Sequence, residues 1–238
     1  MTELTGPLQN RLLNALSKDA QQRLFPKLKR VELSRGDIVY ESGQIIDYVY
    51  FPVDAIFALI YIMINGASAE IAIVGKEGLV GVAVIMGSES TPNQFIVQSR
   101  GHAYRLPAQE LKKEFSNHAE MRILTLRFAQ ALVTQMSQTA VCNRHHAIEQ
   151  QLCRWLLLSL DRLDNNHLDI TQESIASILG VRREGITEAA GKLQKLGVIE
   201  YRRGHITVLD HPKLESLSCE CYAVVKRETD RLEAKPLT

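Results

Sequence analysis

An α+β chain is expected, with an N-terminal β-roll of jelly-roll type, then a long helix, then a C-terminal winged helix-turn-helix. Three observations predict it. Residues 28 to 107 alternate short β-rich runs with glycine turns. Residues 108 to 145 contain no glycine or proline and repeat apolar residues every three or four positions. Residues 171 to 209 hold two helix patterns joined at a glycine, followed by a short hairpin pattern. A length of 238 residues suits two domains. The expected boundaries are 1–107 for the roll and its lead-in, 108–145 for the helix, and 146–238 for the winged domain with a C-terminal helix.

The lead-in reads as helical, because Leu8, Leu12, Leu13, Leu16 and Leu24 keep a helix-like spacing. In the roll the strongest local signal is Asn65-Gly66 between two β-rich runs. Both residues tolerate the positive φ of a two-residue type I′ turn. The longest apolar run, "AIFALIYIMI" at 55–64, is too short to span a bilayer. The start, "MTELTGPLQN", lacks a basic segment followed by an apolar one, so no secretory leader and no membrane partner are expected.

In the long helix, Met121, Leu124, Phe128, Leu132 and Met136 form one stripe, and Leu126, Ala129 and Val133 widen it beyond one face. A helix apolar on two sides needs two partners, here its own roll and a second copy of itself, with Phe128 at the contact between copies. A plain core helix is the alternative. "AIEQQLCRWLLLSLDRL" continues as a second helix with Trp155 in the core, ended by Asp164-Asn165-Asn166.

The segment "ITQESIASILGVRREGITEAAGKL" carries the functional argument. Thr171 is a good N-cap, and Ile175, Ile178 and Leu179 form an apolar face. Ala176 is small enough for a second helix to cross closely. Gly180 can take the left-handed turn, and Val181 plugs the corner. Ile186, Ala189, Ala190 and Leu193 then face inward. That leaves Arg182, Arg183, Glu184, Thr187 and Glu188 outward at the start of the second helix (182–196), the end that enters a major groove in such motifs. Arginine can donate two bonds to guanine, and a carboxylate can accept from cytosine. Next, "LGVIEYRRGHITVLD" reads as a hairpin tipped by Arg202, Arg203, Gly204 and His205, a wing. From 171 to 209 there are six Lys or Arg against four Glu, and four of the six are adjacent arginine pairs at the two candidate DNA contacts. The net charge of the whole chain is only +1, so nucleic-acid binding must rest on this local clustering.

This string resembles the DNA-binding motif of the Crp/Fnr family of bacterial transcription regulators. "LSRGDIVYESG" and "VYFPVDAI" resemble the opening turns of that family's cyclic-nucleotide-binding roll. The resemblance implies a cytoplasmic homodimer that binds double-stranded DNA at a roughly palindromic site, with RNA polymerase as a further partner. It implies that Arg183 and Glu184 read bases and that Thr171 meets phosphate. Where the family pattern has a further arginine one turn along the recognition helix, this chain has Glu188. Members that bind cyclic nucleotide carry a Gly-Glu-Leu stretch and, about ten residues on, an arginine for the phosphate. Here Val82 replaces the glutamate and Pro92, Asn93 and Gln94 stand at the arginine, while Arg100 comes too late. Cyclic AMP is therefore not the expected effector, which stays unknown.

The remaining candidates point away from chemistry. No phosphate loop, H-E-x-x-H or G-x-S-x-G motif occurs, so no enzyme and no cofactor are expected. Cys142, Cys153, Cys219 and Cys221 do not form a secreted disulfide framework, and reduced thiols are the default. No second cluster at known ligand spacing accompanies Cys142, His145 and His146, so no metal is expected. The alternative function is a sensor or interaction module whose winged helix contacts protein, with a metal or redox site near Cys142, His145 and His146.

Overall fold

The computed structural model describes residues 6–233. Residues 1–5, half of the segment read for a leader, lie outside the described residues. The lead-in is helical, with a 3-10 turn at Gly6–Gln9, then α1 (Arg11–Asn14), α2 (Lys18–Leu24) and a 3-10 turn at Phe25–Lys27. Leu12, Leu13, Leu16 and Leu24 are buried. Asn10 caps α1 and donates from Nδ2 to the carbonyls of Pro52 and Gly78, both at 2.9 Å, so the lead-in is locked to the roll.

The roll has seven strands, β1 (Lys29–Leu33), β2 (Ile38–Tyr40), β3 (Tyr48–Pro52), β4 (Ile56–Ile62), β5 (Ser68–Val74), β6 (Gln94–Ser99) and β7 (Gly101–Pro107). They form two antiparallel sheets in the orders β1-β7-β3 and β2-β6-β4-β5. The second sheet is apolar on both faces. Phe57, Leu59, Ala72, Val74, Phe95 and Val97 face the roll interior, whereas Ile56, Ala58 and Ile73 pack against the C-terminal domain. That two-sided burial accounts for the continuous apolar run at 55–60, which an exposed sheet face would have interrupted with polar residues.

The β4–β5 hairpin forms, but not through the two-residue turn expected at Asn65-Gly66. The loop spans 63–67, the Gly66 N–H donates to the Met63 carbonyl at 2.9 Å, and only Gly66 has positive φ (83°). Asn65 instead uses Oδ1 to accept from the Ala67 N–H at 3.0 Å, a local side-chain turn that competes with the left-handed conformation.

The single helix expected over 108–145 is two, α3 (Ala108–Asn117) and α4 (Ala119–His145), separated by His118 in an extended conformation (φ −127°, ψ 116°). Asn117 and His118 are weak helix formers. Arg122 donates from Nη1 to the carbonyls of Phe115 (3.2 Å) and Ser116 (3.3 Å), so the open end of α3 is satisfied without continuing the helix. Within α4 the stripe Met121, Leu124, Phe128 and Leu132 is buried against the roll. Phe128 therefore does not face a second copy as expected. Its ring lies over Gly78, where an added Cβ would come within 1.9 Å of it. The exposed face is a different one: Ile123, Leu126, Gln130, Val133, Ser137 and Ala140, at alternating steps of three and four.

The C-terminal domain comprises α5 (Ile148–Leu160), β8 (His167–Asp169), α6 (Gln172–Leu179), α7 (Arg183–Lys195), β9 (Ile199–Arg202), β10 (His205–Val208), α8 (His211–Leu217) and α9 (Glu220–Asp230). Its small sheet is antiparallel in the order β8-β10-β9. Among the described residues no helix is long and apolar enough to cross a membrane.

Candidate nucleic-acid interface

The corner between α6 and α7 is built as its residues require. Thr171 caps α6 by accepting from the Ser174 N–H at 3.1 Å. Gly180 ends the helix in the left-handed conformation (φ 66°), and its neighbour Val181 donates its N–H to the Ala176 carbonyl at 3.0 Å. Ile175, Ala176, Leu179, Ile186, Ala189, Ala190 and Leu193 are all buried in one core with Leu152, Leu156 and Trp155 of α5. Gln172, which the sequence reading passed over, accepts a hydrogen bond at 2.7 Å from the Thr187 hydroxyl and ties the two helices together.

That packing turns Arg182, Arg183, Glu184, Thr187 and Glu188 outward, leaving Arg182, Arg183, Glu184, Thr187 and Glu188 at the surface of the domain. Arg183 only loosely approaches Glu173 (3.7 Å). Glu188 pairs with Lys192 at 3.1 Å, one turn on. The acid that replaces an arginine in the family pattern is thus partly neutralised by its own helix.

The wing holds the turn that the β4–β5 hairpin does not. Arg203 (φ 33°) and Gly204 (φ 89°) are both left-handed, which a two-residue type I′ loop demands, and β9 and β10 pair across it with Arg202 opposite His205. Arg202 pairs with Glu200 at 2.5 Å, and His205 Nδ1 lies 2.6 Å from Asp169 Oδ1. Asp169 belongs to β8, a strand too short to be read from its sequence. Among the described residues Arg182 and Arg203 have no ion-pair partner, so the two predicted contact points each keep one uncommitted cation. Thr171 is exposed; its hydroxyl oxygen accepts the cap bond from the Ser174 N–H and lies 2.8 Å from Ser174 Oγ.

The winged domain is mounted directly on the roll. Arg35 of the β1–β2 turn donates to the Asp169 carbonyl at 2.6 Å and approaches Ser174 Oγ at 3.5 Å. Trp155 donates from Nε1 to Glu70 Oε1 at 3.1 Å, and Gln98 donates to Glu70 Oε2 at 2.8 Å. Burial pushes the Glu70 carboxyl up to about 8, against the pull of the Trp155 hydrogen bond, the charges of Arg154 and Arg162, and the Gln98 hydrogen bond. A carboxyl raised above its unfolded value holds its proton more tightly in the folded chain. Stability is therefore expected to fall as pH rises from about 4.5 to about 8. Glu70→Gln removes this contribution, so chemical denaturation at pH 5 and pH 8 should show a smaller loss for the variant than for the wild type. Equal losses would count against a proton on Glu70.

Three of the four cysteines gather at one point, where no metal site was expected. Cys142, His146, Cys219 and Cys221 bring their ligand atoms within 4.8 Å of one another, while His145 remains exposed and outside the group. The one-turn spacing of Cys142 and His146 was visible in the sequence. Their meeting with Cys219 and Cys221 depends on α9 packing against α4.

A β-roll followed by a long helix and a winged helix-turn-helix defines a class of DNA-binding regulator. A cyclic nucleotide-binding domain model matches residues 30–118, and a Crp-like helix-turn-helix domain model matches residues 150–217. The chain belongs to the Crp/Fnr family of transcription regulators. Among solved structures it is similar to FixK2 from Bradyrhizobium japonicum, with TM-score 0.67 and 13% identity over 81% of this chain and 98% of that one. It is also similar to CLP of Xanthomonas campestris, described as a c-di-GMP-responsive global regulator, with TM-score 0.63 and 14% identity over 82% and 100%. A third is a CRP-family transcriptional regulator from Thermus thermophilus, with TM-score 0.65 and 15% identity over 80% and 96%. No curated protein matches in sequence. At these identities the structures speak for the fold alone.

Proposed function

We propose that this regulator works as a homodimer that presents two copies of α7 to successive major grooves of a roughly palindromic site, with no catalytic step of its own. The observation that carries the reading is the pairing of an outward α7 start with an arginine-tipped wing on one packed domain. The exposed stripe from Ile123 to Ala140 supports the dimer. Its three-four spacing is that of a coiled-coil seam. Half-sites then lie about 34 Å apart, the spacing shared by dimeric helix-turn-helix regulators. RNA polymerase is the partner through which such a protein would act on transcription.

Arg183→Ala should weaken binding to the selected site by about 1–3 kcal/mol and relax one base position per half-site, because a bidentate base contact is lost. Arg203→Ala should weaken binding to all sequences alike and reduce the slope of affinity against salt, because phosphate carries no sequence information. Selection of bound DNA from a random pool, followed by titration at several salt concentrations, separates the two. An unchanged motif for Arg183→Ala would remove α7 from base recognition. Binding without a salt slope would favour a wing that contacts protein.

Cyclic nucleotides are not the effector in this reading. The roll interior holds a cluster of aromatic rings: Tyr40 stacks edge-on against Tyr50 (5.9 Å between centroids) and Phe95 (5.7 Å), and Tyr50 lies beside Phe57. The short 3-10 helix Val82–Ile85 carries only apolar side chains where the family's glutamate would stand. Losing a charge-assisted bond costs roughly 1.5–3 kcal/mol, so two such losses lower affinity by about two to four powers of ten. Calorimetric titration with cyclic AMP and cyclic GMP should give no low-micromolar binding. Tight binding that also raises DNA affinity would overturn this reading of the roll.

A further inference from the structure

The end of α4 and the start of α9 meet at one point. Cys142 and His146 are one turn apart, Cys142 in the last turn of α4 and His146 at its C-cap. Cys219 is the N-cap of α9, and Cys221 lies in its first turn. All three cysteines are buried and none is joined in a disulfide. We propose that Cys142, His146, Cys219 and Cys221 bind one zinc-class divalent cation as a tetrahedral Cys3His centre that clamps α9 to the end of α4.

The distances fit a mononuclear ion. A tetrahedral zinc with bonds of about 2.3 Å to sulfur and about 2.0–2.1 Å to nitrogen sets sulfur–sulfur separations near about 3.8 Å and sulfur–nitrogen separations near about 3.6 Å. Cys142 Sγ lies 3.6 Å from Cys219 Sγ, and Cys221 Sγ lies 3.6 Å from His146 Nδ1. A polynuclear iron–sulfur cluster spreads its thiolates over two or more irons, and the ligands of different irons lie farther apart than four atoms within 4.8 Å. A disulfide between Cys142 and Cys219 would have to draw the sulfurs together to about 2.05 Å and would give Cys221 and His146 nothing to do.

The surroundings are those of a ligand set. With Nδ1 turned toward the sulfurs, the other ring nitrogen of His146 lies 3.4 Å from Glu220 Oε2, the outer carboxylate that commonly fixes a ligating imidazole. Gln151 holds the local backbone by donating to the His146 carbonyl at 2.8 Å. Three thiolates and a neutral imidazole around a dication leave one net negative charge, which a buried site must balance. Arg154, itself buried, donates from Nη1 to Thr139 Oγ1 at 3.3 Å, one turn before Cys142, and its Nε has no hydrogen-bond partner among the described residues.

The clamp lies where the helix with the proposed seam joins the DNA-binding domain. On the DNA-binding reading above, occupancy sets the orientation of each α7 relative to the dimer seam, so metal controls the register of two half-sites. Zinc then acts by preferring one arrangement of the domains.

The test uses the full chain, purified reduced and without added metal. Elemental analysis should find about one zinc per chain. Exchange with Co(II) should give the intense thiolate-to-metal absorption and visible bands of a tetrahedral site. Cys219→Ser/Cys221→Ser should lose both signals, while Cys153→Ser should keep them. His146→Cys, which preserves four ligands, should also retain the metal, guarding against a variant that only fails to fold. Absence of zinc together with no cobalt spectrum overturns the site, as does isolation of the protein from reducing cells with a Cys142–Cys219 disulfide. A strong chelator should weaken specific DNA binding of the wild type by at least about tenfold and leave the double variant unchanged. Metal bound with DNA affinity unaltered by chelation overturns the clamp's control of DNA. Absence of DNA binding in every state overturns the DNA-binding reading, while the metal stoichiometry still decides the site.

Discussion

Leu126→Lys should convert the protein to a monomer at micromolar concentration and abolish tight binding to a two-half-site operator. Leu126 is 49% exposed in the single chain and lies in the middle of the proposed seam, between Ile123 and Val133. Burying a leucine stabilises by about 1.5–3 kcal/mol, and the two-fold axis counts it twice. The dimer dissociation constant should therefore rise by about two to four powers of ten. Sedimentation gives the oligomeric state and DNA titration gives the consequence. A variant that stays dimeric would move the interface off this face. Phe128, buried over Gly78, is the contrasting position: a charge there should unfold the contact between α4 and the roll before it reaches any dimer.

Glu77→Ala should destabilise the folded chain by about 3–5 kcal/mol. Glu77 pairs with Arg162 Nε at 2.8 Å, and both side chains are almost wholly buried. Arg162 also donates to the carbonyl of Leu158 at 2.6 Å, and Glu77 accepts from the Gly75 N–H at 3.2 Å. The pair joins the β5–β6 connection to the end of α5, so its loss leaves a buried guanidinium and loosens the roll from the winged domain at once. Denaturant unfolding should show the lowered midpoint. A loss under about 1 kcal/mol would mean that water reaches Arg162 and the pair behaves like a surface bridge.

The winged domain was legible because its code is local. Ala176, Gly180 and Ile186 each have one steric task within a dozen residues, and each performs it. The same locality made the outward set at 182–188 readable. Other features were hidden for physical reasons. The break at His118 depends on Arg122 reaching back to two carbonyls, and apolar periodicity carries no record of such a bond. The uncovered face of α4 was blurred because the helix is apolar on two sides, and only the roll's position says which stripe is already covered. Asn65-Gly66 and Arg203-Gly204 show the same limit in turns. The better-looking dipeptide uses its asparagine side chain on a neighbouring N–H, while the arginine takes the left-handed backbone. Four potential metal ligands drawn from two distant helices could be gathered only by tertiary packing.

If the wing meets DNA as proposed, its tip sets stability against function at a single position. An arginine in the left-handed region costs roughly 1–2 kcal/mol relative to glycine, and the free protein carries that cost whether or not DNA is bound. A screen that rewarded only thermal resistance would replace Arg203 with glycine or asparagine early, and would discard an uncommitted charge with it. Variants enriched by heat and variants enriched by promoter occupancy should therefore diverge at residue 203, whatever else they share.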